Sequence, residues 1–460
     1  MKFVLCAEIA VGTLQSDSFF GILFMNLGHL FMYLGQEGHM VGSLLHGNAI
    51  VGQSGGPTAA INASLAGVID AAMKADEIGK IYGAVGGIDG ILSRKITDLG
   101  AQFKDDKKLD LLCATPAAAL GSCRKKLPDP HTEDAIYEEI FRIFGEYDIR
   151  YFFYIGGNDS MDTVSKLSIY AQRHGYDMRF MGVPKTIDND VMGSDHTPGF
   201  GSAAKYVAAS VQEILRDCAV YTIPAVTIVE IMGRDAGWLT AAAGISARYH
   251  GVAPDYIYLP ERTFSFDTFF HDIERAFEHH PNVVIAVSEG LRLADGRYVG
   301  EGDQSGVTDV FGHKYLAGTA KTLEHAVRAK FGCKVRSVEI NILQRCASHM
   351  ASLTDITEAR AVGAAAVNAA LKGESGRMMA FSRVSDAPYR VKIDSVDVSV
   401  AANAVRTVPV TYINAAGNGI TDACIDYILP LCEGELLVPY AHGLPMHCVI
   451  DKTPVSPEND

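Results

Sequence analysis

One short stretch, Pro184-Lys185-Thr186-Ile187-Asp188-Asn189-Asp190, carries an ammonium and two carboxylates directly behind the apolar run Phe180-Met181-Gly182-Val183. That combination suits phosphoryl transfer from a metal-bound polyanion. The reaction needs a cation to offset donor charge, a carboxylate beside the metal, and a second carboxylate to take the proton of an attacking hydroxyl. Taken alone, Asp-Asn-Asp is more often a solvated turn or a helix cap. Its weight comes from two other junctions of the same kind.

Asn48-Ala49-Ile50-Val51-Gly52 reads as a buried parallel strand, followed by Gln53-Ser54-Gly55-Gly56-Pro57-Thr58 and a small-residue helix from Ala59 to Lys74. Glycine pairs after strands usually serve turns. Here they also let the backbone N–H groups of Gly55 and Gly56 approach an anion, at a helix start whose dipole favours negative charge. Tyr151-Phe152-Phe153-Tyr154-Ile155 similarly leads through Gly156-Gly157-Asn158-Asp159-Ser160 into an amphipathic helix from Met161 to Arg173. Three strand ends therefore face one crevice.

Further along, Val226 to Ile231 feeds Met232-Gly233-Arg234 and an expected helix from Asp235 to Ala247, while Val283 to Val287 ends at Ser288-Glu289-Gly290. The strand carrying Arg336 is expected to run on to Arg345, and helical apolar spacing recurs over Glu324 to Phe331 and Glu358 to Lys372. Short strands alternating with helices define an α/β chain with mostly parallel sheets.

The order and spacing of these motifs, together with Gly121-Ser122-Cys123-Arg124 and Leu343-Gln344-Arg345, resemble the phosphofructokinase family over roughly residues 47 to 420. The resemblance implies two Rossmann-like lobes with mostly parallel sheets, a phosphofructokinase-type fold. Residues 47–200 would form a phosphoryl-donor lobe and 201–420 a fructose 6-phosphate lobe, with chain crossovers blurring the boundary near 190–225 and a C-terminal segment at 421–460. By the same resemblance Asp188 is the base that accepts the C1 hydroxyl proton of fructose 6-phosphate, assisted by Lys185 and Thr186. Gly55, Gly56, Arg124, Asp159 and Ser160 would hold the donor, and Asn158 with Asp190 would hold Mg2+. Thr186, Met232, Gly233, Arg234, Glu289, Arg336 and Arg345 would hold the sugar phosphate, with Arg336 and Arg345 on its 6-phosphate. The family usually has Asp where this chain has Asn158, and an amide oxygen is a weaker ligand, so Asp190 carries more of the coordination.

Donor choice resembles the pyrophosphate-dependent branch. ATP users typically read Asp-Gly-Ser after the Gly-Gly turn, leaving room for a third phosphate. Asp159 fills that place with a bulky negative group that admits only the two phosphates of pyrophosphate. Lys185 before Thr-Ile-Asp-Asn-Asp agrees. The expected reaction is reversible phosphoryl transfer from pyrophosphate to fructose 6-phosphate, giving fructose 1,6-bisphosphate and phosphate. Two alternatives stay open, an ATP-dependent phosphofructokinase and a catalytically silent regulatory paralogue; the retained Asp188, Asp190, Lys185 and Arg345 argue against the second. Sedoheptulose 7-phosphate is a further possible acceptor. A dinucleotide oxidoreductase is disfavoured because the first glycine-rich turn lacks Gly-x-Gly-x-x-Gly. Ala225 stands where ATP-dependent bacterial members have an arginine reaching into a neighbouring subunit.

A chain of 460 residues with 48% hydrophobic and 20% charged residues can bury a large core. Its formal charge of −14 argues against a nucleic-acid partner. Anionic substrates then require Lys185, Arg124, Arg234, Arg336 and Arg345 to converge locally. The nine cysteines show no metal or disulfide spacing and read as reduced thiols of a cytoplasmic protein. Residues 1–46 are atypically apolar, but the run from Phe19 to Leu34 is glycine-interrupted and contains Asn26 and His29. Neither a membrane span nor a signal peptide is expected there; Met40 is a plausible start, and the segment is expected to pack poorly. The family resemblance further implies a homodimer or homotetramer.

Overall fold

Side-chain alternation along the first strand sets the layering of the molecule. In the computed structural model, which describes residues 45–301, 318–402 and 404–457, Ala49 and Val51 join the core on one side of a sheet and Ile50 the core on the other. The expected poor packing of 1–46 falls outside the described residues, apart from the last two positions. The strands of the two main sheets are β1 (Gly47–Gln53), β2 (Ile78–Ala84), β3 (Ile96–Asp98), β4 (Ile149–Gly156), β5 (Arg179–Pro184), β6 (Ala225–Ile231), β7 (Tyr256–Tyr258), β8 (Asn282–Ser288), β9 (Lys334–Glu339), β10 (Arg377–Asp386) and β11 (Tyr389–Asp397). A seven-stranded sheet runs β11-β10-β5-β4-β1-β2-β3, and a four-stranded sheet runs β7-β8-β6-β9.

All pairs of the smaller sheet are parallel, as are the central pairs of the larger one; β3 and β11 are its antiparallel edges. Parallel strands need helices on both faces. Helices Ile61–Met73 and Leu353–Leu371 cover one face of the larger sheet, and Ala135–Glu146 and Asn158–His174 the other. Phe200–Cys218 packs on one face of the smaller sheet, and Phe266–Phe277 with Thr319–Phe331 on the opposite face. The doubly wound α/β architecture expected from the sequence is therefore present.

Three local expectations differ from what forms. The stretch Asp235 to Ala247 is helical only over Trp238–Ala242 and then tightens into i→i−3 turns, as in the Gly244 N–H to Ala241 carbonyl bond of 3.1 Å. The strand through Arg336 stops at Glu339, because Asn341 turns left-handed at φ 47° and Leu343–Cys346 forms one helical turn. Residues 377–397, assigned from sequence to the second lobe, add β10 and β11 to the first sheet.

The return crossing runs through helix Leu353–Leu371, which meets helix Ile61–Met73 almost backbone to backbone. A Cβ added to Gly67 would lie 1.9 Å from the Arg360 carbonyl oxygen, and one on Gly363 would lie 2.1 Å from that of Ser64. At the other end of the same helix, Asp355 accepts from Gly199 N–H at 2.8 Å and Ser202 N–H at 3.0 Å, so it caps helix Phe200–Cys218. One helix thus ties both sheets together. Gly363→Val should destabilise the protein by about 3 kcal/mol or more through overpacking, read as a lowered urea midpoint; an unchanged midpoint would show that the crossing tolerates a side chain.

Candidate active site

The cleft is assembled at the carboxyl ends of parallel strands, where such sheets place their ligand crevices. At the end of β1, Ser54 N–H bonds the Ile155 carbonyl at 2.9 Å, and Gly55 adopts φ 76°. Thr58 Oγ1 accepts from Ala60 and Ile61 N–H at 3.2 and 2.9 Å and so starts the helix that follows. Segment 121–124 lies along this turn. Gly55 N–H donates to the Cys123 carbonyl at 3.2 Å, and Ser122 Oγ donates to the Gly55 carbonyl at 2.6 Å. Of the two amides expected to face the donor, that of Gly55 is thereby engaged. The amide of Gly56 has no hydrogen-bond partner among the described residues.

Lys185, at the end of β5, is only 2% exposed and donates from Nζ to the Gly56 carbonyl at 2.5 Å. Its Nζ is 3.4 Å from where a Gly55 Cβ would sit, and Arg345 Nη1 is 3.3 Å from where a Gly56 Cβ would sit. A side chain at Gly56 would make Arg345 give way by a few tenths of an ångström, whereas at Gly55 the contact with Lys185 is ordinary and the demand for glycine comes from φ 76°. Burial pulls the Lys185 ammonium down to about 8; Asp188 and Asp190 oppose that fall, whereas Arg345 and Arg124 add to it.

Beyond Lys185, Thr186 Oγ1 accepts from Asp188 N–H at 3.1 Å. Burial raises the Asp188 carboxyl above its ordinary range, against the pull of Lys185, Arg234 and Arg345. Asp190 is pushed up to about 7, first by burial and then by Asp188. Asn189 between them has φ 54°, a left-handed conformation that is uncommon outside glycine. Asn158 Nδ2 donates to Asp190 Oδ2 at 3.2 Å, while Asn158 Oδ1 is buried with no hydrogen-bond partner. Asp159 occupies the first turn of helix Asn158–His174, its carboxylate unpaired among the described residues, and Ser160 N–H bonds the Gly157 carbonyl at 2.9 Å.

The smaller sheet supplies the opposite wall. Gly233 N–H donates to Glu289 Oε1 at 3.2 Å, and Met232 N–H to Gln344 Oε1 at 3.4 Å. Gly290 allows this contact because a Cβ there would lie 1.8 Å from the Arg234 carbonyl oxygen. Burial raises Glu289 to about 7, with Asp188 contributing, and Arg234 Nε is buried without a partner.

Four of the five cations required to converge do so electrostatically, since Lys185, Arg124, Arg234 and Arg345 all act on Lys185 or Asp188. Arg336 does not. It lies opposite Thr227 in β6, about 16 Å along the strands from Met232, and pairs with Asp217 at 3.8 Å on the exposed side. Sequence position showed that Arg336 was on a strand, but not that its side chain sits far from that strand's ligand end.

Two residues escaped the sequence reading. Arg406 N–H bonds the Asp190 carbonyl at 2.8 Å, and the Tyr427 hydroxyl accepts from Asn189 Nδ2 at 3.0 Å. Neither belongs to a motif, and only the folded chain brings them to the loop.

Two mostly parallel sheets with buried carboxylates and converging cations at their strand ends form an α/β architecture with a site suited to small anions. The family model described as phosphofructokinase matches residues 48–370. The pyrophosphate--fructose 6-phosphate 1-phosphotransferase of Methylococcus capsulatus is 42% identical over 401 residues, covering 86% of this chain and 94% of the relative. That of Xanthomonas campestris is 42% identical over 416 residues, covering 90% and 98%. A pyrophosphate-dependent phosphofructokinase from Nitrosospira multiformis superposes with a TM-score of 0.80 at 37% identity, covering 90% of this chain and 98% of its own. The chain belongs to the phosphofructokinase family.

The raised carboxyls have a consequence for stability. Asp190 holds its proton to about 7 when folded, against an ordinary 3.8, so the folded state binds more protons than the unfolded one between about 4 and 7. Stability therefore falls as pH rises through that window. Asp190→Asn removes the cost and should raise stability at pH 8 by about 4 kcal/mol at most, an advantage that shrinks below pH 7 in thermal melts. Equal melting temperatures at pH 8 would show that the carboxylate is not strained by burial.

Proposed function

We infer that this chain transfers a phosphoryl group from pyrophosphate to the C1 hydroxyl of fructose 6-phosphate, giving fructose 1,6-bisphosphate and phosphate. The observation that carries the reading is the buried Lys185 ammonium, which lies against the Gly55-Gly56 turn and is electrostatically coupled to Asp188. A donor phosphate seated on that turn would meet the cation next to the candidate base. Burial makes Asp188 a stronger proton acceptor, while Lys185, Arg234 and Arg345 favour its ionised form. Asp188 would take the hydroxyl proton as the sugar oxygen attacks the terminal phosphorus in line, and Lys185 would offset charge on the transferred group.

The orphaned Asn158 Oδ1 beside a carboxylate of raised pKa is the donor set that a hard cation fits. Asn158 and Asp190 would hold Mg2+, which when bound neutralises donor phosphate oxygens. Among the described residues no group of three or more His, Cys, Asp or Glu side chains forms a closed metal cage.

In this reading Arg345, against the donor turn, would hold the 6-phosphate, Arg234 would lie near the transferred group, and Glu289 with Met232 and Gly233 would meet the sugar; the support is that Arg345 and Arg234 both act on Asp188 and that Glu289 holds the Gly233 N–H. Arg336 would serve a 6-phosphate only from a second copy of the chain, so the expected homodimer or homotetramer forms part of this proposal. Cytoplasmic placement does too; among the described residues no helix is long and apolar enough to cross a membrane.

Asp159 selects the donor in this reading, and the support is its unpaired carboxylate at the turn that follows β4. With Mg2+ and fructose 6-phosphate, purified protein should turn over pyrophosphate and not ATP, and Asp159→Gly should admit ATP. Turnover with ATP alone would defeat the donor assignment, and a folded Asp159→Gly that gains none would acquit Asp159. Asp188→Ser should lower kcat about 1,000-fold or more with sugar-phosphate affinity retained; a loss confined to KM would remove Asp188 from the role of base.

A further inference from the structure

The left-handed Asn189 separates the two carboxylates of the cleft, and it is held from every side. Its Nδ2 donates to the Tyr427 hydroxyl at 3.0 Å, its Oδ1 accepts from Thr197 N–H at 3.1 Å, and its carbonyl accepts from Arg406 Nη1 at 3.2 Å. Next door, the Asp190 carbonyl accepts from Arg406 N–H at 2.8 Å. A backbone conformation that costs on the order of 1 kcal/mol or more persists only where its surroundings over-determine it.

Arg406 links this loop to the sugar-side wall. Its Nη2 donates to the Tyr427 hydroxyl at 3.2 Å, and its guanidinium lies 4.3 Å over the Trp238 ring. Trp238 Nε1 in turn donates to the Arg406 carbonyl at 3.0 Å. Trp238 opens the short helix that follows Met232-Gly233-Arg234. The Tyr427 hydroxyl spends its own proton on the Asp195 carbonyl at 2.6 Å, so its donor and both acceptor sites are used. Nearby, the Glu261 carboxylate accepts from Gly237 N–H at 2.9 Å and Val408 N–H at 2.8 Å, stitching the same segment to the start of that helix. Both Arg406 and Tyr427 lie past residue 370, where the family match ends.

We propose that Arg406 and Tyr427 are positioning residues for phosphoryl transfer, acting through Asn189 to fix where the Asp188 and Asp190 carboxylates stand relative to the Met232-Gly233-Arg234 wall. The proposal rests on reading Asp188 as the base. Neither residue acts on Asp188 by charge to a degree that ranks with Lys185, Arg234 and Arg345. Their effect is geometric: it changes how often the attacking hydroxyl meets a correctly placed acceptor, not how tightly substrates bind.

The test uses the full chain with Arg406→Ala, Arg406→Lys, Tyr427→Phe and the Arg406→Ala/Tyr427→Phe double variant. Arg406→Ala should lose about 100-fold in kcat, with KM for pyrophosphate and for fructose 6-phosphate each within about threefold of the parent. Arg406→Lys keeps the backbone contact and a cation near Trp238, and should recover about tenfold. Tyr427→Phe should lose about tenfold, and the double variant should be no slower than Arg406→Ala, because both act on one loop. A loss expressed only in KM, or single losses that multiply in the double variant, would overturn the proposal.

Two readouts do not depend on the donor assignment. Trp238 is the chain's single tryptophan, so its emission reports the Arg406 contact directly and should change in Arg406→Ala. Amide hydrogen exchange over 186–191 should quicken at least tenfold while the melting temperature stays within a few degrees. If the parent protein proves inactive with pyrophosphate, the functional reading fails and these two measurements still judge the brace; unchanged exchange in both Arg406→Ala and Tyr427→Phe would sink it.

Discussion

An ammonium with almost no water around it constrains everything near it. Lys185 is 2% exposed, and a buried cation is tolerated only where polar and anionic groups replace its hydration. The Gly56 carbonyl supplies one partner, and Asp188 and Asp190 supply the opposing charge. Glycine at 56 keeps the close approach of Arg345 free, and glycine at 55 is set by its positive φ of 76°. Asp188 and Asp190 are themselves desolvated, so each raised carboxyl is kept ionisable by the cations it serves. A molecule carrying a formal charge of −14 thereby gathers four cations among the carboxylates of one cleft.

Cohesion between the two sheets comes from elements that cross more than once. Helix Leu353–Leu371 packs on the larger sheet, caps helix Phe200–Cys218 through Asp355, and hands the chain back to β10 and β11. His196, just past the base loop, is buried between the carboxylates of Asp195 at 2.9 Å and Glu358 at 2.8 Å, and Glu358 lies on that same helix. The loop bearing Asp188 is therefore clamped at Asn189 and again at His196. Both clamps draw on parts of the chain beyond residue 350.

Much of the cleft was legible from the sequence because its parts are local. Each of β1, β4 and β5 is a short apolar run leading straight into Gly-Gly or Pro-Lys-Thr, and the side chains that matter follow within a few residues. What stayed hidden was set by tertiary contacts. Gly244 would place a Cβ 2.7 Å from Ile420 Cδ1, a packing that accompanies the break in the helix expected over 235–247 and that no local periodicity announces. Arg336 was assigned to the sugar phosphate by family resemblance, yet strand register sets it opposite Thr227, some way down β9 from the Met232-Gly233-Arg234 wall. The commitment of the Gly55 amide to Cys123 depends on a segment almost 70 positions away, and Arg406 and Tyr427 are separated from Asn189 by 217 and 238 positions. Composition and spacing carry no trace of such pairings.

Those separations bear on how the protein comes into being on the ribosome. The motif carrying lysine and both aspartates emerges early, but the larger sheet lacks two strands until residues 377–397 have been made, and Asn189 lacks its supports until 406 and 427 follow. Contacts of such high sequence separation form late, after the entropy of closing long loops has been met. A nascent chain exposing the lysine motif thus lacks both the outer strands of its sheet and the braces of its aspartate loop until synthesis is nearly complete.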